Sequence, residues 1–459
     1  MLISLEPMSC RFRLGAHVAF LAVCLAACGD DRSNGNSAGS TGDDTNGTSG
    51  GGGGQCSGPF AYEMQDIYAC RGLERAGGND VIVLNSRGLL RVDGGGAEVW
   101  QRELPPVGAM ALGVNVDAGL AAVVWETTMG LELPEGPSFA GAAGGSAIVT
   151  TFSLASGELV NAVELLRSED AGASLVDPGI AAVGDGFALA VGIGHAFVFA
   201  PGTPDEALID MPGLTHVLAR LDETGAVTWS QLDSGQGQLH VAGAADGTIV
   251  TAGPTSSRAV ALRQYAPDGV LTWEREFAAP PESSAQPRSL ALAPDGTIGL
   301  ALSFEEALTV YVGDASELTL TEAAGSAAYL RIAGDGARKW VVQGSAAPSD
   351  LAFADDGRLW LAMRSSADVT LGELSAEREH SSSSCDDGLY NCSGTFLAAL
   401  DAEGVPTTMR QVGDRNGAAV LVAAPCAETV ELCMATGSVV LEPGDSDDYL
   451  GEVLANVRP

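Results

Sequence analysis

Alternating apolar and polar residues, interrupted by short glycine-containing turns, recur along the chain. Residues 217–221 alternate in the manner of a half-buried β-strand, and the turn Asp222-Glu223-Thr224-Gly225 follows them directly. The next strand carries Trp229 four residues after the turn glycine. Residues 265–273 repeat this arrangement, so the sequence predicts a β-hairpin as its basic unit.

The hairpin occurs six times, with turn glycines 44 to 68 residues apart. The aspartate of the turn accepts backbone hydrogen bonds, and the glycine takes the left-handed conformation that follows. Four copies place Trp four residues after the glycine, whereas Asn161 and Thr408 replace it in the other two. The turn glycines are Gly96, Gly157, Gly225, Gly269, Gly336 and Gly404, and the tryptophans are Trp100, Trp229, Trp273 and Trp340.

Each unit continues with a second hairpin, so a unit supplies the four strands of one propeller blade. The second turns lie at residues 117–119, 185–186, 246–247, 295–296 and 356–357. Residues 449–457 match the first strand of a unit, and residues 78–84 match the end of one. Joining these two segments would complete the ring and remove the exposed sheet edges. We therefore expect an all-β propeller over residues 59–459 with seven four-stranded blades, six or eight being the alternatives.

The amino-acid composition also favours β-strands, and the net charge limits the kinds of partner that the protein can bind. Hydrophobic residues make up 46% of the chain, aromatic residues only 5%, and there are 60 glycines, a balance that favours strands with glycine-rich turns over helices. The formal net charge is −36, which would repel a phosphate backbone. We therefore expect no nucleic-acid binding.

The N-terminus predicts export. Arg11 and Arg13 precede an apolar stretch over residues 14–27, which is typical of a signal peptide spanning residues 1–27. Residues 25–28, Leu-Ala-Ala-Cys, resemble the lipobox of bacterial lipoproteins, and the resemblance implies cleavage before Cys28 and its acylation, palmitate included. An ordinary secretory signal is the alternative. Residues 28–58 are mostly Gly, Ser, Asp, Asn and Thr, which predicts a flexible tether after the lipidated cysteine.

Localisation follows from the same segment. Gly29 stands where an aspartate retains enteric lipoproteins in the inner membrane, which favours the outer membrane of a Gram-negative envelope.

Six cysteines remain beyond the lipid site, and an even number in an exported chain favours disulfides. They form three sequence-local pairs, so the expected connectivity is Cys56–Cys70, Cys385–Cys392 and Cys426–Cys433. A zinc site is the alternative, but the chain has no Cys-x-x-Cys motif and no paired histidines nearby.

The repeated pattern, as in residues 265–273 followed by the Asp295-Gly296-Thr297-Ile298 strand, resembles the seven-bladed propeller repeats of bacterial cell-surface proteins. It is especially similar to those of delta-proteobacterial lipoproteins such as the myxobacterial ones, over about residues 60–459.

A weaker resemblance, carried by Ala219, Asp222, Thr224, Gly225 and Trp229, is to the tryptophan-docking motif of quinoprotein-type propellers. It implies that Trp100, Trp229, Trp273 and Trp340 pack between neighbouring blades, ligand stacking being the alternative.

Long connections fall at one place in the repeat and are expected to gather on one face of the ring. They are residues 130–144, 200–213, 305–325, 372–394 and 442–448. They are either binding loops carried by a rigid scaffold or neutral decoration.

Two acidic runs are weak calcium candidates, although neither has the residue order of an EF-hand and solvated carboxylates are the alternative. Their residues are Asp386, Asp387, Asp445, Asp447 and Asp448.

The chain carries no recognisable catalytic motif: His-Glu-x-x-His is absent, and no Gly-x-Ser-x-Gly elbow between a strand and a helix is evident. We expect a monomeric, non-enzymatic envelope lipoprotein whose propeller binds a protein or polysaccharide, with no cofactor beyond a structural calcium. The alternatives are a periplasmic assembly factor for outer-membrane proteins and, third, an envelope hydrolase or quinoprotein.

Overall fold

The regular structure of the chain consists of β-strands. The computed structural model describes residues 60–64, 70–85, 87–105, 108–210, 213–235, 237–255, 257–322, 325–378, 393–413, 421–423, 430–439 and 447–457. Within them, no helix is long and apolar enough to cross a membrane.

In chain order the strands are β1 (Phe60–Met64), β2 (Gly72–Gly77), β3 (Asp80–Leu84), β4 (Gly88–Val92), β5 (Glu98–Glu103), β6 (Ala109–Asn115), β7 (Leu120–Thr127), β8 (Gly130–Glu132), β9 (Ser138–Ala140), β10 (Gly145–Ser153), β11 (Leu159–Ser168), β12 (Ser174–Val183), β13 (Gly186–Gly194), β14 (Phe197–Phe199), β15 (Ala207–Ile209), β16 (Leu214–Leu221), β17 (Val227–Ser234), β18 (His240–Gly243), β19 (Ile249–Pro254), β20 (Val260–Tyr265), β21 (Leu271–Ala278), β22 (Ala285–Leu292), β23 (Ile298–Phe304), β24 (Ala307–Val310), β25 (Leu318–Thr321), β26 (Ala327–Ile332), β27 (Arg338–Gly344), β28 (Ala347–Phe353), β29 (Leu359–Ser365), β30 (Val369–Leu371), β31 (Leu374–Ala376), β32 (Gly394–Leu400), β33 (Pro406–Gly413), β34 (Leu421–Ala423), β35 (Val430–Val439) and β36 (Asp447–Val457).

These strands form a β-propeller of six antiparallel blades. Listed from the innermost strand outwards, the blades are blade 1 (β2-β3-β4-β5), blade 2 (β6-β7-β10-β11), blade 3 (β12-β13-β16-β17), blade 4 (β18-β19-β20-β21), blade 5 (β22-β23-β26-β27) and blade 6 (β28-β29-β32-β33). The first strands contact one another in the order β2, β6, β12, β18, β22 and β28, and β34 contacts both β28 and β2. Together they line a central channel.

Burial within a blade explains the hydrophobic pattern along the sequence. The second strand lies between two neighbouring blades, and every residue of β13 is buried. The outermost strand has solvent beside it, and β21 alternates between exposed and partly buried residues over most of its length. The continuous apolar runs are therefore second and third strands, and the alternating runs that follow the glycine turns are fourth strands.

The two kinds of hairpin occur in the opposite order from the one predicted. The Asp-Gly hairpins join the first and second strands of a blade, and the hairpins with Trp join the third and fourth strands. A blade thus begins with the Asp-Gly hairpin, which was predicted to end the preceding unit. Because the strands are antiparallel, both turns lie on one side of the ring, which we call the turn face. The remaining connections lie on the opposite side, the loop face.

The long connections on the loop face are largely hairpins. β14–β15 adds to β11 of blade 2, β24–β25 adds to β21 of blade 4, and β30–β31 adds to β27 of blade 5. Each hairpin covers backbone groups of the preceding blade's outer strand, which protects a sheet edge. β8–β9 forms a separate two-stranded sheet. Three of the five predicted binding loops therefore contribute strands that extend sheets at the outer rim, while residues 379–392 and 442–446 lie outside the described residues.

The two ends of the described chain are joined by backbone pairing. β1 pairs antiparallel with β36 from Phe60↔Asn456 to Met64↔Glu452, and β36 pairs in turn with β35. The expectation that residues 78–84 would meet the C-terminal strand is wrong. Those residues belong to the inner hairpin of blade 1, because a further strand, β2, precedes them and takes the innermost place.

A disulfide joins Cys70 to Cys433 across a sequence separation of 363 residues. Both cysteines are buried, in a cluster with Leu73 and Val81. This bond contradicts the expected local pairs Cys56–Cys70 and Cys426–Cys433. Ring closure brings the start of blade 1 against β35, so distance in space rather than spacing along the chain selects the partners. Cys56, Cys385, Cys392 and Cys426 lie outside the described residues.

Peptide mapping of the oxidised protein under non-reducing conditions is expected to recover Cys70 linked to Cys433. The variant Cys70→Ser should lose roughly 5 kcal/mol of unfolding free energy in the chain-entropy model, because the closed loop is longer than 100 residues. Recovery of Cys70 linked to Cys56 would contradict the ring closure described above. Denaturant titration of wild type and variant, each with and without reductant, measures the loss.

Candidate functional site

The predicted tryptophans lie against the turn glycine of the following blade. Trp229 of blade 3 covers Gly269 of blade 4, and a Cβ added to that glycine would lie 2.9 Å from the indole. The indole Nε1 donates a hydrogen bond of 2.9 Å to the carbonyl of Pro267. The same contact joins Trp100 to Gly157, Trp273 to Gly336 and Trp340 to Gly404.

Glycine is required at this turn for two separate reasons. Gly269 has φ +83°, a left-handed conformation that is strained for other residues. Its missing side chain also leaves the flat surface on which the indole lies. The aspartate, the glycine and the Trp of the sequence motif therefore serve one junction, in which the first two shape the turn and the third comes from the blade before it.

Gly269→Ala is expected to lower the free energy of unfolding by about 2–4 kcal/mol, because it adds backbone strain and displaces Trp229. Gly296→Ala is the matched control, since Gly296 has φ +79° and no atom within 4 Å of the added Cβ. The control should lose only about 1 kcal/mol. Urea unfolding curves measure both losses, and equal losses would show that the indole contact contributes nothing.

Arginines that the sequence analysis missed complete these junctions. Arg220 lies opposite Trp229 on the neighbouring strand, and its Nη1 donates to the same Pro267 carbonyl at 3.0 Å. Arg91 and Arg331 also reach into the next blade, at the carbonyls of Leu154 and Gly357. All three stand five residues before a turn glycine, so the spacing that revealed the tryptophans could have revealed them.

The inner end of the loop face is shaped by β-bulges in the first strands. Blades 2, 3, 5 and 6 each have a register shift near the start of this strand, which frees extra residues from pairing. A bulge redirects side chains, and in a first strand it redirects them at the channel entrance. The extra residues are Met110, Asp177, Pro178, Arg288 and Ser349. Prolines at 178, 287 and 348 were the available sequence signal, because proline is excluded from a regular central strand.

A polar pocket of about 470 Å³ lies at this entrance, between blades 3, 4 and 5. We call it the mouth pocket. Asp177, Gln238, Thr255, Arg258, Ser284, Gln286 and Arg288 contribute its polar side chains.

Two arginines of the mouth pocket have no carboxylate partner among the described residues. Arg288 donates from Nε to the hydroxyl of Ser303 at 2.8 Å. Arg258 has φ +64°, a left-handed conformation that is uncommon for a residue with a side chain. Within the described part of the chain, its side chain forms a single hydrogen bond, to the Pro281 carbonyl, which is long at 3.5 Å. In a chain with net charge −36, two unpaired guanidinium groups at one pocket mark a place suited to an anion.

His240, at the start of the first strand of blade 4, adds a buried polar group beside this pocket. Its Nε2 is buried and has no hydrogen-bond partner among the described residues. Burial lowers the pKa of His240 to about 4, the nearby backbone of Pro287 acts in the opposite direction, and the charge of Arg288 lowers the pKa further. The imidazole is therefore neutral at physiological pH.

The interior of the channel, a cavity of about 390 Å³, has mainly small apolar walls with a few charged groups. Glu74 of β2 borders this cavity, and its pKa is raised to about 8 by the loss of bulk solvent around it and by the charge of Asp350. Asp350 of β28 accepts hydrogen bonds from Ser289 and from its neighbour's backbone. Arg75 pairs with Asp355 at 2.8 Å. Glu74 is thus a carboxyl group with a raised pKa, although its side chain is exposed to the open channel.

The raised pKa of Glu74 gives a pH dependence with a definite sign. The folded protein holds this proton more tightly than the unfolded chain, so unfolding free energy should fall as pH rises from about 4.5 through 8. Glu74→Gln should flatten that fall and make the protein more stable than wild type above pH 8. Thermal melts across pH 5–9 measure it, with Glu103→Gln on an outer strand as the control. A variant that follows the wild-type curve would show that Glu74 titrates normally.

The other predicted site residues are not brought together with these. Cys28, Asp386, Asp387 and Asp445 lie outside the described residues. Asp447 and Asp448 form the first residues of β36, with backbone partners Val439 and Ser438. No group of three potential metal-ligating side chains occurs within the described ranges.

Comparison with known proteins gives structural similarity only. No protein-family model matches the chain, and no curated protein matches it in sequence. BamB from Moraxella catarrhalis matches with 9% identity and a TM-score of 0.37, over 87% of this chain and 98% of that one.

Two enzymes match in the same way. Hydrazine synthase of Kuenenia stuttgartiensis matches with 15% identity and a TM-score of 0.44, over 81% of this chain and 94% of that one. Quinohemoprotein alcohol dehydrogenase from Comamonas testosteroni matches with 11% identity and a TM-score of 0.41, over 85% of this chain and 67% of that one. At such values the similarities assign no function, and the site must be interpreted from its own residues.

Proposed function

We propose that the protein is a lipid-anchored envelope lipoprotein whose propeller binds an acidic glycan at the mouth pocket, without catalysing a reaction. The observation that carries this proposal is the pair of arginines, Arg258 and Arg288, which face one polar pocket without carboxylate partners in the described part of the chain.

The pocket chemistry favours a sugar carboxylate over other anions. Guanidinium groups bind carboxylates in a planar, two-point arrangement. Gln238, Gln286 and Ser284 supply the amide and hydroxyl groups that pair with sugar hydroxyls. A volume of about 470 Å³ holds one or two sugar rings, within the usual size of a ligand pocket. Because the rest of the chain is strongly acidic, an extended polyanion would be repelled, so the ligand is a single uronate-type residue in a mostly neutral glycan.

The location in the envelope is proposed from the sequence and supported by the disulfide. The lipobox-like residues before Cys28 and the polar segment up to residue 58 would anchor the propeller and hold it away from the membrane. A disulfide such as Cys70–Cys433 persists in exported proteins and is rare in reducing compartments. The outer membrane of a Gram-negative bacterium is the proposed site.

The ring is proposed to contain seven blades. β34, β35, β36 and β1 pair in that order, which is the strand number and antiparallel arrangement of a blade. β34 contacts the first strands of blades 6 and 1, as an innermost strand would. A single backbone pair, Gly413↔Val439, joins these four strands to blade 6. In this proposal β34, β35, β36 and β1 form a blade of their own next to blade 6, and this last blade is completed by a strand from each end of the described chain.

Isothermal titration of the full-length protein in detergent with glucuronate- and galacturonate-terminated oligosaccharides tests the binding function. Arg258→Gln and Arg288→Gln together should weaken binding at least 10-fold, because each lost charge-assisted hydrogen bond contributes about 1.5–3 kcal/mol. Raising the salt concentration should also weaken it.

Arg358→Gln is the control for each single arginine variant, since Arg358 pairs with Asp356 in a turn on the opposite face and its replacement also removes one positive charge. Neutral oligosaccharides of the same length form the ligand control. Binding that is unchanged in the double variant, or equal for neutral and acidic glycans, would contradict the proposal.

A second candidate function is acid–base chemistry in the channel, favoured by the raised pKa of Glu74 beside Asp350. If the channel hydrolyses a glycan, turnover should be lost in Glu74→Gln with binding at the mouth pocket intact. A periplasmic assembly role remains the alternative among binding functions. Protease treatment of intact cells separates it from a surface role, because an inward-facing propeller is protected.

A further inference from the structure

The junction between blades 2 and 3 lacks both side chains that build its neighbours. Arg91 and Trp100 of blade 1 donate hydrogen bonds to a backbone carbonyl of blade 2. Arg220 and Trp229 of blade 3 do the same to a carbonyl of blade 4. In blade 2 the corresponding cross-strand pair is Thr151 and Asn161.

Thr151 and Asn161 are smaller than the Arg and Trp of the neighbouring junctions, and they form fewer hydrogen bonds. The Asn161 amide donates to the carbonyl of Thr224 in the next turn. Thr151 is only 2% exposed, and its hydroxyl has no hydrogen-bond partner among the described residues. The backbone carbonyl of Glu223 lies two residues before the turn glycine. At the next junction the carbonyl in the same position, that of Pro267, accepts a hydrogen bond from the indole of Trp229. No described side chain donates to the Glu223 carbonyl.

A cleft of about 780 Å³ opens on the turn face at this junction. We call it the blade 2–3 cleft. Val160, Leu120 and Ala118 form its apolar part, and Asp117, Asp185 and Glu223 form its acidic part. Its walls consist of strand ends and tight turns of two adjacent blades.

Two of the three carboxylates are unpaired within the described residues. Asp185 is bound by Arg220 at 3.2 Å. In blade 1 the corresponding arginine, Arg91, is bound to Asp80 of its own inner hairpin at 2.6 Å. Blade 2 has Thr151 instead, so Asp117 of its inner turn and Glu223 across the cleft have no cationic partner in the described ranges.

We infer that the blade 2–3 cleft binds a peptide segment of a partner protein that supplies one arginine and one aromatic side chain. The guanidinium pairs with Asp117 and Glu223, and the ring lies over Val160 and Asn161. The occupant is specified by the neighbouring junctions, in which a guanidinium and an indole from the preceding blade occupy the corresponding place. An Arg–Trp segment therefore completes the missing junction from outside the chain.

Fluorescence anisotropy with a labelled six-residue peptide of alternating Arg and Trp tests this inference on the full chain in detergent. Arg–Ala and Glu–Trp peptides are the ligand controls, each expected to bind at least 10-fold more weakly. Asn161→Trp should reduce binding of the Arg–Trp peptide at least 10-fold while raising Tm by about 2 °C, because the new indole fills the cleft. The rise in Tm separates occupation of the cleft from misfolding.

Asp117→Asn with Glu223→Gln should also reduce binding at least 10-fold, without depending on how a new Trp packs. Glu403→Gln, in the equivalent turn beside Trp340, is the matched control and should leave binding unchanged. Arg258→Gln with Arg288→Gln should leave it unchanged as well, which separates this site from the mouth pocket.

Three results would overturn the inference. One is unchanged peptide binding in Asn161→Trp together with the carboxylate variant. Another is equal affinity for the Arg–Ala peptide, which would show attraction to acidic surface alone. The third is concentration-dependent self-association of the wild type that disappears in Asn161→Trp, which would identify a second copy of this chain as the occupant.

Discussion

The contact between an indole and a bare turn glycine is the interaction on which the ring depends. A blade has two large faces, and each must be covered by a neighbour if its apolar strands are to be buried. The apolar second and third strands provide most of the buried area but little orientation, because apolar contact is not directional. The Trp229 indole is directional: it lies flat on Gly269 and donates to Pro267. Where it occurs, at four junctions of the described ring, it fixes how one sheet lies on the next.

The places with potential chemistry are those where the repeat departs from its own rule. Bulges interrupt the first strands at the mouth pocket, and Arg288 is one of the residues they free from regular pairing. In the channel, enclosure by the surrounding blades and the charge of Asp350 raise the pKa of Glu74. At the blade 2–3 cleft, Asn161 stands where Trp stands elsewhere. A scaffold built from identical units has no specificity of its own, so specificity resides in the exceptions.

Local chemistry made much of the fold predictable. Asp222 and Gly225 specify a turn from a few residues, and Trp229 four positions later identifies the strand that follows. Relations in space were harder to predict. From the sequence, either kind of hairpin could begin a blade. Their order is decided only by which two hairpins pair into one sheet across the segment that connects them. The spacing of cysteines suggested local disulfides, whereas ring closure places Cys70 beside Cys433. Pro287 did signal a bulge, but a strand pattern alone does not say that the bulge faces a channel.

Pairing of β1 with β36, together with the Cys70–Cys433 bond, has a consequence for the order of assembly. Blades 1 to 6 are formed from consecutive residues and can fold as each segment becomes accessible. The strands that join the ends of the described chain cannot pair until β36 is present, so closure is a late event that depends on contacts distant in sequence. Until then, blades 1 and 6 each lack a neighbour on one side, and the incomplete ring exposes apolar surface that can aggregate. A chain of this design therefore passes through a vulnerable intermediate, and an oxidant that forms the Cys70–Cys433 bond would make its completion difficult to reverse.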